Sequence, residues 1–147
     1  MKNYFQQDLV PAAPTFSTPS VSLHHMVSRL QAGLMAEAVD KKSLIINDVD
    51  KDLSLCADED VLAYVVGGII SNAVYSSSNS CIRVETIRDE NGIRLCVRNN
   101  GAFSYHSNMI SLGNMLQAAR RIGGGIGLQS EAGGRLTVMF IFPLAGE

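Results

Sequence analysis

Proline is scarce in this 147-residue chain outside its first stretch. Three of the four prolines, Pro11, Pro14 and Pro19, precede residue 20, and Pro143 is the fourth. Proline removes a backbone donor and disfavours helix at the residue before it. Residues 1–19 therefore read as a flexible leader, with a short edge strand near Phe16, and residues 20–147 as one domain. Cysteine is equally sparse. Cys56, Cys81 and Cys96 show no metal-ligand spacing. An odd, scattered count argues against a disulfide framework and suits a reducing compartment. Neither sign of charge is in excess: 12 basic and 14 acidic residues leave a net −2, without the basic footprint of a nucleic-acid binder. No apolar run approaches the roughly 20 residues that span a bilayer. The best candidate, Val61–Ile70, is about half that and contains Gly67 and Gly68. Met1–Val10 lacks the apolar core of a secretory signal. The expectation is a cytoplasmic protein with no membrane or nucleic-acid partner.

What is present is a hydrophobic content of 46%, enough for one real core. Ser20 or Ser22 suits a helix cap. Leu23, Val27, Leu30, Leu34 and Ala38 follow at spacings of three and four, which predicts a first helix over about 21–40. SLIINDV (43–49) and Leu53–Cys56 read as strands. Asp58, Glu59 and Asp60 place negative charge where a helix N-terminus favours it. The wide apolar stripe from Val61 to Val74 then predicts a nearly buried helix, followed by the serine run Ser76–Ser80. Cys81–Ile87 alternates, Asn91-Gly92 supplies a two-residue turn, and Ile93–Val97 returns, a hairpin pattern. Asn108 or Ser111 caps a last helix over about 109–121. Strands at 126–130 and 136–142 flank Gly133-Gly134. Gly123–Gly127 looks like a phosphate loop, but it follows a helix and precedes a strand, the reverse of the order such a loop needs. The element order predicts an α+β fold: a two-layer sandwich with a mixed, mostly antiparallel sheet and helices on one face.

Three segments now line up. DVLAYVVGGIISNAVY (60–75) resembles the asparagine box of histidine kinases, a buried helix ending Asn-Ala. RLCVRNNG (94–101) resembles the strand and turn of the first glycine box, usually Asp-x-Gly-x-Gly. GGGIGLQSEAGGRLTVMFIFP (123–143) resembles the closing pattern, with a Gly-Gly pair, a strand ending in Ser, a glycine turn and a strand ending in Pro. Over residues 16–143 the chain thus resembles the histidine-kinase ATP-binding domain of the Bergerat-fold ATPase superfamily. The resemblance implies ATP and Mg²⁺ as cofactors and a signalling protein as partner, a kinase or a response regulator. It also implies site residues. Asn72 matches the asparagine that holds Mg²⁺ through its amide oxygen, a donor suited to that cation. Asn99 matches the carboxylate that accepts from the adenine amino group. Gly101 matches the glycine of close backbone approach to the base, and Thr137 a hydroxyl near adenine.

The departures from that pattern are chemical. At Asn99 the charge is gone, although an amide oxygen can still accept. An earlier polar position of the asparagine box falls on Gly68, and the basic position after it on Tyr75. The second glycine of the first box falls on Phe103. The second glycine box, whose amides would cradle phosphates at a helix N-terminus, reads SNMISLG (107–113), with Gly113 alone. The lid between the two boxes is nearly absent. Phosphate contacts carry most of the stabilisation in phosphoryl transfer, so these losses should damage catalysis more than folding. The expected function is a histidine-kinase-like, two-component signalling module with a degenerate, weak or inactive nucleotide site. The alternatives are an active domain that binds Mg-ATP and phosphorylates a histidine on a partner chain, and a protein-interaction domain that binds no nucleotide. His24-His25, in LHHMVSRLQ, read as surface or half-buried residues of the first helix, because no second helix follows to complete a dimerising hairpin. His106 has no Cys or carboxylate neighbour in sequence with which to build a metal site or a triad.

Overall fold

The computed structural model describes residues 20–76, 78–101 and 104–143. The leader, the strand expected near Phe16 and the Phe103 position lie outside the described residues.

The first helix is shorter than its apolar spacing predicts. Residues Ser20–Ser22 form a strand, β1, which pairs antiparallel with β3 (Ser54–Cys56). Helix α1 then spans Leu23–Gly33, capped by Ser22, whose Oγ accepts from the backbone N–H of His25 at 3.2 Å. Leu34 leaves helical geometry (φ −102°, ψ 5°), and α2 (Met35–Asp40) resumes after it. Gly33, a poor helix former, precedes the break. His24 is half-buried and His25 exposed.

A parallel pair opens the main sheet: β2 (Leu44–Asp48) runs beside β4 (Cys81–Asp89). The strands β5 (Gly92–Asn99), β7 (Leu136–Phe142) and β6 (Gly125–Ser130) complete it antiparallel, in the order β2-β4-β5-β7-β6. The sheet is mixed and mostly antiparallel, and the architecture is α+β. In the hairpin Asp89 pairs with Gly92, so the bend falls on Glu90-Asn91, one residue earlier than the Asn-Gly pattern suggests. The Asp89 carboxylate accepts from the Asn91 N–H at 2.9 Å, and Gly92 takes φ +138°, which glycine tolerates.

Two further helices pack on the sheet. α3 (Glu59–Tyr75) is capped by Asp58, which accepts from the Val61 N–H at 3.1 Å. α4 (Leu112–Arg121) begins three residues later than expected, with Ser111 as its cap. The core joins Leu62, Val65, Val66, Ile69 and Ile70 of α3 to Ile82, Val84, Leu95, Val97 and Phe140 of the sheet. The strand alternation sends Arg83, Glu85, Arg94 and Arg98 to the opposite face, where Arg98 pairs with Glu85 and Arg94 with Asp89. α4 packs against α3. A Cβ on Gly68 would stand 2.6 Å from the Met115 sulfur, so the glycine is what admits Met115 to the core. At the other end of α4, Gly123 takes φ +84° and turns the chain into β6, which makes the glycine cluster a post-helix turn and strand. No helix among the described residues is long and apolar enough to cross a membrane.

Candidate functional site

Between the C-terminal half of α3, the ends of β5 and β7, and the segment leading into α4 lies a cavity of about 350 Å³. Three of the four residues singled out from the sequence border it: Asn72, Asn99 and Gly101. α3 delivers Asn72 from its last turn, and the end of β5 delivers Asn99 and the turn at Gly101.

Thr137 does not join them. In β7 the residues facing the cavity are Leu136 and Val138. Thr137 pairs with Arg98 and turns to the outer face, where it is 2% exposed and donates through its Oγ1 to Glu131 at 3.0 Å. With side chains alternating across a strand, a one-residue difference in position changes the face. The place in line for a hydroxyl is held by Leu136, and the cavity is more apolar for it.

Asn72 is buried, 7% exposed, and both ends of its amide are engaged by one residue. Its Nδ2 donates to the Ile110 carbonyl at 2.8 Å, and its Oδ1 accepts from the Ile110 N–H at 2.7 Å. This two-way bond ties the segment before α4 to the end of α3. Two more contacts hold the same segment. The Ser104 N–H and Oγ donate to the Ser76 carbonyl at 2.8 and 2.9 Å. Tyr75, standing at the position that is basic in the family pattern, stacks on His106 with ring centroids 5.2 Å apart. Sequence reasoning missed these partners. No local motif couples Asn72 to Ile110, which is 38 residues away.

Asn99 is equally committed. Its Oδ1 accepts from the Ser80 hydroxyl and from the Gly101 N–H, the latter at 2.8 Å, and its Nδ2 reaches the Ala73 carbonyl at 3.4 Å. The amide fixes the turn after β5 to the end of α3. An aspartate could accept from Ser80 and Gly101 but could not donate to Ala73. Asparagine is therefore the residue this closed arrangement calls for.

Among the described residues, no Lys, Arg, Asp, Glu or His borders the cavity. Its walls are mainly Ile69, Val97, Met109, Met115, Leu136 and Val138. Such a lining offers no cation to a phosphate and no carboxylate to an adenine. Cys96 and Arg98 titrate away from their ordinary values, and both lie on the outer face of the sheet. Burial pushes the Cys96 thiol up, while the hydrogen bond that Arg98 donates to Glu85 holds Arg98 more firmly protonated. The residues present do not fit a magnesium ion well. Asn72 Oδ1 already accepts a backbone N–H, and among the described residues no group of three His, Cys, Asp or Glu converges.

No family model and no curated protein matches the sequence. Solved structures do match the fold. The cytoplasmic segment of histidine kinase QseC superimposes with a TM-score of 0.70 at 16% identity, over 88% of this chain and 80% of that one. The Acinetobacter baumannii histidine kinase AdeS gives 0.74 at 12% identity, over 87% and 68%. The catalytic domain of histidine kinase ThkA, nucleotide-free, gives 0.67 at 16% identity, over 85% and 95%. In its complex with the response regulator TrrA, the ThkA chain gives 0.71, over 85% of this chain and 41% of that one. The chain has the fold of a histidine-kinase catalytic domain, and its cavity lies among segments that resemble the asparagine and first glycine boxes.

Proposed function

We propose that this chain is a cytoplasmic, histidine-kinase-like module of two-component signalling whose nucleotide site is eroded, and that it works by docking to a signalling protein rather than by phosphoryl transfer. The observation that carries the reading is the two-way bond between Asn72 and Ile110. The amide that would help hold Mg²⁺ instead closes the segment before α4 against α3. Three features add to it: a cavity that no charged residue borders among the described residues, an amide committed inside the protein at Asn99, and a single glycine in residues 107–113. ThkA, which shares the fold, is in complex with a response regulator. That supports a partner of this kind and leaves its identity open.

The test is calorimetric titration with Mg-ATP and Mg-ADP. A lost charge-assisted hydrogen bond is worth about 1.5–3 kcal/mol. From a micromolar starting site, about −8 kcal/mol, that loss together with missing phosphate contacts moves binding toward the millimolar range. The expected result is no saturable heat at micromolar nucleotide, with some affinity restored by Asn99→Asp, the mark of an eroded ancestral site. Tight, Mg-dependent binding that Asn72→Ala abolishes would sink the reading and put an active kinase domain in its place.

A further inference from the structure

Among the described residues, nothing fills the eroded site. Here side chains have replaced the groups that would touch phosphates, yet about 350 Å³ persists beside Ile69 and Val138. That volume lies within the range of small-molecule sites, roughly 300–1,000 Å³. Apart from Tyr105, which is 78% exposed, the polar side chains on its border have partners inside the protein. Asn72 is held by Ile110, Asn99 by Ser80 and Gly101, Ser76 Oγ donates to the Ala73 carbonyl at 3.3 Å, and Ser111 Oγ accepts from Asn114 at the helix cap. Two methionines in the wall, Met109 and Met115, adapt readily to irregular apolar shapes. A charged or strongly polar ligand would lose its hydration here and gain little in return. An apolar one would lose nothing and bury its surface.

We infer that this cavity binds an uncharged, largely apolar small molecule in place of a nucleotide. The inference rests on the eroded-site reading above and names the ligand class that replaces ATP. Ligand bound there would contact α3, β5, β7 and the segment before α4 together, because residues from all four line the same space.

The experiment is a fluorescence titration of the full chain with the neutral fluorophore aminoanthracene, with Mg-ATP titrated in parallel. Saturable binding with a dissociation constant on the order of micromolar is expected. Leu136→Glu, which puts a charge at the wall, should weaken it tenfold or more. Leu128→Glu, on the exposed part of β6 and outside the cavity, should leave it unchanged. Methyl chemical shifts of the unaltered chain provide a readout that does not depend on either variant folding. They should move at Ile69, Val97 and Val138. Absence of saturable binding, or shifts confined to other methyls, overturns the inference and leaves the eroded-site reading standing. Tight Mg-ATP binding overturns both.

Discussion

Replacing Ile69 by alanine should lower the stability of the domain by about 2–5 kcal/mol, the range for truncating a buried isoleucine. Ile69 is 1% exposed, on the helix that packs against α4 and the central strands of the sheet. The loss combines the transfer of the removed methyl groups with the space they leave. That space would open onto the existing cavity, which Ile69 already lines, so the neighbours have little to collapse against. The measurement is urea denaturation. The midpoint should fall with the slope unchanged, because the surface exposed on unfolding is nearly the same. A midpoint equal to that of the parent chain would show that α3 is not buried at this position.

Asn72→Ala should also destabilise the fold, by about 1–3 kcal/mol, through the loss of partners for the Ile110 N–H and C=O. The result separates two roles for the same residue. An asparagine kept to hold a metal would leave the stability of the metal-free chain unchanged on replacement, whereas an asparagine that clamps a loop cannot. Asn72→Asp should fall between the two, since a carboxylate still accepts from the Ile110 N–H but cannot donate to its carbonyl. Hydrogen exchange at the Ile110 amide gives a local reading of the same effect. Protection there should drop in Asn72→Ala before the core amides of β5 change. An unaltered melting curve together with an unaltered Ile110 exchange rate would remove the clamp.

The cavity beside Asn72 was the part of the molecule least legible in the sequence. The resemblance placed Asn72, Asn99 and Gly101 near one another, and the folded chain does bring them to one cavity. It placed Thr137 there too, and the alternation of β7 turns that residue away and presents Leu136. Ile110, the partner of Asn72, is 38 residues away, and Ser80 and Ala73, two of the partners of Asn99, are 19 and 26 away, distances over which a sequence gives no geometry. Tyr75 and His106 looked like a lost basic residue and a partnerless histidine, and they turn out to stack on each other.

Elements with a strong local signal were fixed by the sequence alone. The apolar stripe of α3, its acidic first turn with Asp58 as cap, the alternation of β4 and β5 and the glycine turn after α4 each follow from periodicity and backbone preference over a few residues. Boundaries set by distant pairing were not. Ser20–Ser22 leaves the first helix because β3 offers it a strand partner, and the hairpin bend moves onto Glu90-Asn91 because the register of β4 against β5 pairs Asp89 with Gly92. The boxes also pointed to segments that border one cavity in the folded chain. Only the tertiary structure decided what that site offers, because the hydrogen-bonding capacity of Asn72 and Asn99 is spent on groups brought to them by folding.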